Sequence, residues 1–251
     1  MRMTGNTVLI TGGSSGIGLA IARELLATGN TVIVCGRDQA RLERATRAVP
    51  GIHSIRCDIT REDERATLLR TIASDFPRLN MLVNNAAVMY VNDSLTIERI
   101  EAEVRTNLLA PMELSTLFLP LLQQQATAAI VIVSSGLAYV PVANAGVYCA
   151  TKAALHSFSR SIRYQLKTTA IQVFELLPPL VDTDLTRALR MPKIPAERVA
   201  GVLLKAMARD RYEVRVGMVK PLRVASQLAP WLTERMLNRA FSIQEYAVKE
   251  R

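Results

Sequence analysis

Short apolar runs alternate with longer amphipathic segments along nearly the whole chain. The apolar runs are rich in β-branched residues and predict strands at residues 7–10, 31–35, 52–57, 81–84, 129–133, 171–177 and 213–216. The segments between them repeat apolar positions at helical spacing and predict helices starting at residue 17 and spanning 39–48, 61–75, 96–124, 148–167 and 196–208. Because β and α alternate and the strands are apolar throughout, the pattern predicts an α/β fold with a parallel sheet and helices on both faces.

Small and polar residues gather directly after the predicted strands, at residues 11–18, 36–38, 58, 84–87, 134–136 and 178–183. The carboxyl ends of parallel strands lie at the same edge of a sheet, and open α/β sheets bind ligands at that edge. We therefore expect one ligand site built from these loops. The chain contains no linker or internal repeat, which favours a single domain over residues 1–217 with a helical tail over residues 218–251.

The first of these loops has a spacing typical of dinucleotide-binding turns. Gly12, Gly16 and Gly18 stand between a strand and a helix in the pattern Gly-x-x-x-Gly-x-Gly. Glycines let backbone N–H groups approach a pyrophosphate, and the helix N-terminus favours its negative charge. The alternative is a tight strand-to-helix turn that binds no ligand.

The end of the second strand bears on the choice between NAD and NADP. Dinucleotide folds that bind NAD commonly place an acidic residue there, against the adenosine ribose hydroxyls. Gly36 occupies that position without a side chain, and Arg37 follows it and could pair with a 2′-phosphate. Asp38 stands one place later and is expected to cap the next helix. These residues favour NADP, with NAD as the alternative.

Tyr148 and Lys152 stand four residues apart on a predicted helix and therefore share one face of it. A free phenol has a pKa of about 10 and exchanges protons poorly at neutral pH. An adjacent ammonium favours the phenolate and lowers that pKa, so the pair could act as a general acid or base. The alternative is a packed tyrosine beside a surface lysine.

The composition fits a globular protein with a sizeable core, because 49% of the 251 residues are hydrophobic and 21% are charged. No apolar run approaches the roughly 20 residues of a membrane helix, and the first residues lack the apolar region of a signal peptide, so we expect a cytoplasmic protein. The spacing of the three cysteines and two histidines does not match a metal site: Cys35, Cys57, Cys149, His53 and His156. The net charge of +9 is dispersed, which indicates solvated surface rather than a nucleic-acid site.

Four of these features stand in the order and at the spacings of the short-chain dehydrogenase/reductase family. They are the glycine loop at 11–18, the segment 84–87, Ser135, and Tyr148 with Lys152. The chain resembles that family over residues 5–217. Within it, residues 4–20, 31–38 and 177–186 are most similar to the DltE-type bacterial oxidoreductases. The resemblance implies a Rossmann-like, doubly wound sheet and an NAD(P)-dependent oxidoreductase.

The resemblance also implies a role for each site residue. Tyr148 would exchange a proton with the substrate oxygen, Lys152 would hold the nicotinamide ribose, and Ser135 would hydrogen-bond the carbonyl. Asn107 would bend its helix and position a water that links Lys152 to solvent. The expected cofactor contacts are Gly12, Ser14, Ser15, Gly16 and Ile17 at the phosphates, Arg37, Asp58, Ile59 and Asn85 at the adenosine end, and Tyr148, Lys152, Val181 and Thr183 at the nicotinamide end. The alternatives are a loop hydroxyl that caps its own backbone for Ser135 and a purely structural amide for Asn107.

These features together predict an NADP-dependent oxidoreductase that transfers hydride between NADPH and a carbonyl or alcohol. The alternatives are an NAD-dependent alcohol dehydrogenase of the same fold and a dinucleotide-binding regulatory protein without turnover. Residues expected near the substrate are mostly apolar and suggest a lipophilic substrate: Met89, Leu137, Tyr139, Val140, Leu185 and Leu189. Arg187 or Arg190 could meet an anionic group on that substrate.

The last segment is amphipathic and basic. Apolar residues recur there at helical spacing, at Val224, Leu228, Trp231, Leu232 and Met236. Pro230 either kinks one helix or starts a second. We expect this apolar stripe to pack on the catalytic domain or on a second subunit and to contribute to an apolar pocket, with contact to a membrane surface as the alternative. By resemblance to the family, helices 96–124 and 148–167 would pair subunits in a homodimer or homotetramer.

Overall fold

A parallel seven-stranded sheet forms the centre of the molecule in the described part of the chain. The structure is a computed structural model that describes residues 1–90 and 95–249, with side chains as far as residue 241. The strands are β1 (Thr7–Thr11), β2 (Thr31–Gly36), β3 (His53–Arg56), β4 (Leu79–Asn84), β5 (Ala128–Val133), β6 (Ile171–Leu177) and β7 (Glu213–Arg215). Their order is β3-β2-β1-β4-β5-β6-β7. The winding direction reverses between β1 and β4, which is the switch point where such sheets bind ligands. The predicted doubly wound, Rossmann-like sheet is confirmed.

Helices cover both faces of the sheet, as the alternating pattern predicts. They are α1 (Gly16–Ala27), α2 (Gln39–Ala48), α3 (Glu62–Asp75), α4 (Ile97–Val104), α5 (Ala110–Gln123), α6 (Gly146–Gln165) and α7 (Ala196–Met207). Val8 and Ile10 of β1 pack into a core with α1, α2 and α7, whereas Leu9 between them packs into a core with α3, α5 and α6. This alternation follows from the two-residue period of a strand and fixes the carboxyl ends of the strands at one edge.

The helix predicted at 96–124 is divided by one irregular turn. A π-helical turn at Arg105–Leu109 separates α4 from α5 and contains Asn107. The extra residue of such a turn changes the direction in which neighbouring side chains point, and π-turns are frequent at functional sites. The expectation that the helix departs from regular geometry at Asn107 is therefore met, although the turn itself was not predicted.

The tail forms two helices, α8 (Val219–Leu228) and α9 (Pro230–Lys249). Pro230 starts the second helix, where its missing N–H leaves no intrahelical partner unsatisfied. The five residues of the apolar stripe, expected to pack on the catalytic domain or on a second subunit, are 41% to 80% exposed in this chain. Val219 of α8 and Phe241 of α9 are buried instead. The stripe therefore does not pack on the catalytic domain, whereas a contact with a second subunit and the division at residue 217 stay predictions.

No helix in the described ranges has the length and apolar character needed to cross a membrane.

Candidate active site

A cavity of about 490 Å³ opens at the carboxyl edge of the sheet, between the loops that follow β1 to β6. Most of the predicted site residues line it: Gly12, Ser14, Ser15, Gly16, Ile17, Arg37, Asp58, Ile59, Asn85, Tyr148, Lys152 and Thr183. Asn107, Ser135 and Val181 do not line the cavity and are buried. The loops therefore form the single site that their positions after the strands predict.

The glycine loop leaves donors for an anion at the start of α1. Gly12 has a φ of +62°, and a Cβ at this position would lie 2.8 Å from the Cα of Ala86. Ser15, the N-cap residue of α1, makes no side-chain capping hydrogen bond, and the first turn contains no acidic residue. The first N–H groups of a helix have no intrahelical acceptor. The loop therefore fits a pyrophosphate, which would accept those hydrogen bonds.

Two arginines line the cavity near the end of β2, Arg37 directly after the strand and Arg41 on α2. They differ in whether they form ion pairs. Asp38 caps α2, as predicted, by accepting a 3.0 Å hydrogen bond from the backbone of Arg41. The Arg41 guanidinium lies 3.3 Å from the carboxylate of Asp184 and 3.6 Å from that of Asp38. Arg37 is exposed and makes no ion pair with any residue in the described ranges. Arg41 is a lining cation that the sequence analysis missed, because its partner Asp184 is far away in the sequence.

Asp58 after β3 and Asn85 after β4 already use part of their side chains in hydrogen bonds within the protein. Asp58 accepts hydrogen bonds from the backbone and hydroxyl of Thr60, at 3.0 and 2.7 Å. Asn85 donates from Nδ2 to the carbonyls of Thr11 and Gly12, at 2.9 and 3.1 Å. One Asp58 oxygen and the Asn85 amide oxygen are therefore the groups that a ribose or base could reach.

Val181 and Thr183 have different surroundings although they stand two residues apart. Val181 is buried, forms an isolated parallel bridge with Ile194, and its carbonyl accepts from the Thr186 hydroxyl. Thr183 lines the cavity, and its methyl group would lie 2.9 Å from a Cβ placed on Gly16. Of the two residues expected at the nicotinamide end, Thr183 is thus the one with a side chain at the cavity.

Ser135, Tyr148 and Lys152 come together where β5 ends and α6 begins. Ser135 follows β5 and hydrogen-bonds to Tyr148 through its hydroxyl, which also accepts 3.1 Å from the backbone of Leu137. Lys152 donates from Nζ to the carbonyl of Val133 at 2.9 Å and lies 5.5 Å from the centre of the Tyr148 ring. The three side chains are nearly buried. They therefore bring two hydroxyls and an amine together beside the cavity, which Tyr148 and Lys152 line and Ser135 does not.

Burial has the largest effect on the pKa values of Tyr148 and Lys152. It raises the pKa of Tyr148 above its usual range, and the hydrogen bond to Ser135 offsets this only in part. The Lys152 amine donates to the backbone carbonyl of Val133, and its expected lowering of the Tyr148 pKa stays a prediction. Burial also lowers the pKa of Lys152 to about 8, against the opposing charges of Glu103 and Glu175. The amine can thus exchange its proton near neutral pH.

Asn107 binds the segment that follows β4. Its Nδ2 donates to the carbonyl of Val88 at 2.7 Å, and its Oδ1 accepts from the backbone N–H of Val88 at 2.8 Å. Nδ2 also lies 3.4 Å from the hydroxyl of Thr151 on α6. Both ends of the amide are therefore held by protein groups, as in the structural alternative. The water-positioning role implied by the family resemblance stays a prediction.

An apolar wall adjoins the Tyr148 hydroxyl corner. It consists of Val142, Ala145, Tyr148, Cys149 and Phe241, with Met89, Leu137, Leu189, Met191 and Leu237 packed against them. Three of the residues expected near the substrate, Met89, Leu137 and Leu189, belong to this wall. Leu185 lines the cofactor cavity instead. The wall combines the loop after β5, the segment after β6 and the tail helix α9.

Tyr139 was assigned to the substrate side, and this was wrong. Its hydroxyl donates to Glu213, and its ring stacks edge-on against His156. Nδ1 of His156 lies 2.8 Å from the buried carboxylate of Glu175. The ligand atoms of His156, Glu175 and Glu213 lie within 4.8 Å of one another, but Arg215 already pairs with Glu213 at 2.7 Å. This polar network beneath the site could not be found in the sequence, because its members are far apart in the chain.

A sequence model of the short chain dehydrogenase family matches residues 6–193, which is more than half of the chain. Together with the fold and the grouping of Ser135, Tyr148 and Lys152, this match shows that the chain belongs to the short-chain dehydrogenase/reductase family. Within that family it is 44% identical over 239 residues to the uncharacterised oxidoreductase DltE of Bacillus subtilis (strain 168), covering 90% of this chain and 94% of the relative. It is an NAD(P)-dependent oxidoreductase.

Solved structures share the same fold. A short chain dehydrogenase from Burkholderia cenocepacia J2315 in complex with NADP is 24% identical, with a TM-score of 0.84 over 94% of this chain and 99% of that chain. A short chain dehydrogenase/reductase from Burkholderia phymatum in complex with NAD is 20% identical, with a TM-score of 0.82 over 91% of this chain and 96% of that chain. Because one neighbour binds NADP and the other NAD, they support a nicotinamide dinucleotide without deciding between the two forms.

Proposed function

We propose that this protein is an NADP-dependent oxidoreductase that interconverts a lipophilic carbonyl compound and its alcohol, with Tyr148 as the general acid or base. The observation that carries this proposal is the buried grouping of Ser135, Tyr148 and Lys152, of which Tyr148 and Lys152 line the cavity. Hydroxyl and amine groups in that arrangement can bind a carbonyl oxygen and move a proton to it.

The roles follow from what each group can donate. The bound nicotinamide supplies or accepts the hydride. In the reductive direction the Tyr148 hydroxyl donates its proton to the substrate oxygen, while the Ser135 hydroxyl hydrogen-bonds the same oxygen. The raised pKa of Tyr148 keeps the phenol protonated at neutral pH, which suits the acid role. Lys152, with a pKa of about 8, is the neighbouring group best able to exchange a proton with that phenol.

The loop after β2 supports NADP. The position usually held by an acid is Gly36, and Asp38 is occupied as the cap of α2 and as a partner of Arg41. Arg37 lines the cavity without a carboxylate partner in the described part of the chain. A 2′-phosphate could pair with the Arg37 guanidinium, and no acidic side chain stands at position 36 to repel it. NAD remains the alternative cofactor.

The apolar wall beside Tyr148 supports a lipophilic substrate. Apart from Tyr148 itself, all of its members have hydrocarbon or sulfur-containing side chains. Arg187, one of the two candidate anion contacts, is paired with Asp184. A substrate that reaches Tyr148 along this wall would gain most of its binding free energy from apolar contact, at about 25 cal/mol per Å² buried.

The test is reduction of a carbonyl panel followed by NADPH absorbance, with Tyr148→Phe as the key variant. We expect the purified protein to oxidise NADPH with apolar aldehydes or ketones, and Tyr148→Phe to lower kcat by about 10²–10⁴-fold. The variant deletes only the hydroxyl, so NADPH affinity and the melting temperature should be unchanged. Dinucleotide binding without turnover on any carbonyl or alcohol would support the regulatory alternative instead.

We also propose that α4 and α6 pair two copies of this chain. Ile97 of α4 and Tyr164 of α6 are more than 70% exposed in the single chain, and large apolar surfaces of this kind usually mark contacts. Light scattering should give a dimer or tetramer mass for the native chain and a lower mass for Ile97→Glu with Tyr164→Glu. If instead Leu228→Glu with Trp231→Glu lowers the mass, the tail stripe is the subunit contact.

A further inference from the structure

Glu103 is a buried carboxyl with no satisfactory partner. It lies on α4, one helical turn before Asn107, and its relative exposure is 0%. Neither carboxylate oxygen has a hydrogen-bond partner of good geometry among the described residues. Buried acids are rarely left in this state, because an unpaired charge in a protein interior is costly. The groups around Glu103 should therefore account for an acid at this buried position.

Glu103 is buried where α4 packs against α6, the helix that carries Tyr148 and Lys152. On α6 it acts on Lys152, Tyr148 and Cys149, and a negative charge on Glu103 raises the pKa of each of them. The backbone N–H of Tyr90, in the segment after β4, approaches the carboxyl from the other side. Glu101 on α4 is exposed, and Arg105 in the following π-helical turn is exposed and paired with Glu113 at 3.3 Å. Glu175 acts on Lys152 from β6, with its carboxylate hydrogen-bonded to Ser134, Ser159 and His156.

Both partners of the Glu103–Lys152 pair titrate close to neutral pH. Burial raises the pKa of Glu103 to about 7, although Tyr90 and Lys152 oppose the shift. Burial lowers the pKa of Lys152 to about 8, although Glu103 and Glu175 oppose it. Each charge therefore supports the other in a site where neither is well solvated.

We propose that Glu103 is a positioning residue that acts through Lys152, as the buried counter-ion that keeps its ammonium protonated inside the site. The proposal rests on the proposed function for its catalytic consequence, because a protonated Lys152 is needed beside the Tyr148 acid. Its electrostatic part is independent of turnover. The competing explanation is a structural carboxyl that only fills space between α4 and α6.

The first test measures the Lys152 pKa directly, in the protein without substrate. Lysine labelled with ¹³C at Cε reports its protonation by NMR, and Lys152→Arg identifies the signal. We expect Glu103→Gln to lower the pKa of Lys152 by about one unit, as loss of a nearby opposite charge does. Glu103→Asp should retain the native value, and Glu101→Gln, which removes an exposed charge from the same helix, should leave it unchanged. An unaltered Lys152 pKa in Glu103→Gln would overturn the proposal.

The second test is the pH profile of kcat for carbonyl reduction. Loss of the Glu103 charge lowers the pKa of both Lys152 and Tyr148, so the alkaline limb should move to lower pH by about one unit. Glu103→Asp should restore the native limb, and Glu101→Gln should not move it. If Glu103→Gln misfolds, Glu103→Met provides a second neutral side chain of similar length. A lower kcat with an unshifted limb would show a purely structural role and overturn the proposal.

The two tests separate failure of this proposal from failure of the proposed function. If the native protein reduces no carbonyl but Glu103→Gln still lowers the pKa of Lys152, the counter-ion role stands and the proposed activity is wrong. If carbonyl reduction is found and the Lys152 pKa is unchanged in Glu103→Gln, the activity stands and the counter-ion role is wrong.

Discussion

At the scale of single residues, the charged side chains in and near the cavity differ in whether they form ion pairs within the protein. Arg41 on α2 is paired with Asp38 and Asp184, whereas Arg37, which directly follows β2, lines the cavity without a carboxylate partner in the described ranges. Lys152 and Glu103 are both buried, on two helices that pack together, and no hydrogen bond joins them. The unpaired groups are therefore the ones that we expect to respond to ligand and to pH.

Arg37 is expected to discriminate between the two dinucleotides. We predict that Arg37→Ala weakens NADPH binding by about 1.5–3 kcal/mol, the usual contribution of a charge-assisted hydrogen bond, and leaves NADH binding nearly unchanged. Fluorescence titration with both cofactors measures this. Arg44→Ala removes another exposed arginine from the same region and should alter neither affinity. An equal loss for NADPH and NADH would contradict the assignment.

Glu103 should make the protein less stable as pH rises. Its pKa in the folded state is about 7, compared with an ordinary value of 4.5, so the folded state favours the protonated form. The free energy of unfolding should therefore fall as pH rises from about 4.5 to 7. Glu103→Gln removes this titration and should gain about 1–3 kcal/mol at pH 8 relative to pH 4, compared with the native chain. Denaturant unfolding across pH measures it, and parallel pH curves for the two proteins would refute it.

At the scale of elements, the strands and helices follow from the sequence while the irregular turns do not. Helix α2 and strand β6 occupy the predicted residues 39–48 and 171–177. Both are short segments whose apolar positions repeat regularly and whose ends are marked by turn residues. The π-helical turn at Arg105–Leu109 was not predicted. Asn107 in this turn forms two hydrogen bonds with the backbone of Val88, a contact that no local pattern encodes.

The same distinction applies to the site. The glycine loop and the Tyr148–Lys152 spacing are local patterns, so their place in the cavity could be predicted. The Tyr139–Glu213 contact joins residues 74 positions apart, and Tyr139 was therefore placed on the wrong side. The importance of Glu103 was missed for a related reason. A glutamate on an amphipathic helix suggests an exposed face, and only packing against α6 shows that it is buried.

Gly12, in the turn between β1 and α1, is a position where a side chain should be poorly tolerated. A Cβ there would lie 2.8 Å from the Cα of Ala86, and φ is in the left-handed region. We predict that Gly12→Ala displaces the loop, costs about 1–3 kcal/mol of stability, and lowers dinucleotide affinity at least about tenfold, since about 1.4 kcal/mol corresponds to that factor.

Gly201→Ala on α7 is the matched control, because no atom lies within 4 Å of the added methyl group. That variant should bind dinucleotide normally and gain up to about 1 kcal/mol from helix propensity. Thermal melting and cofactor titration distinguish the two. Normal dinucleotide affinity in Gly12→Ala would show that the close approach of this loop is not needed for binding.

At the scale of the whole molecule, the tail joins the catalytic domain through one face and leaves the other uncovered. Asn238 of α9 accepts from the backbone of Ala143 at 2.7 Å and donates to the carbonyl of Pro141 at 3.1 Å. Phe241 is buried in the apolar wall beside Tyr148. The tail residues beyond the parallel sheet are therefore part of the apolar wall that contains Tyr148, although the apolar stripe of the tail is exposed.

Phe241 should control affinity for lipophilic substrates. Removing its ring deletes apolar contact from the wall but changes no side chain that would bind the dinucleotide or move a proton. We predict that Phe241→Ala raises KM for a long-chain carbonyl about tenfold, equivalent to about 1.4 kcal/mol, and changes KM for a small polar carbonyl much less. The dissociation constant for NADPH should stay at the native value. Steady-state kinetics with both substrates measure the difference.

Met236→Ala is the control on the same helix, since Met236 is 66% exposed and lies outside the wall. It should leave both KM values unchanged. Leu237→Ala, which removes a smaller part of the wall, should raise KM for the long-chain carbonyl by an intermediate factor. If Phe241→Ala alters both substrates equally, or if Met236→Ala matches its effect, α9 acts on the stability of the molecule and not on the substrate, and the contribution of the tail to the pocket is refuted.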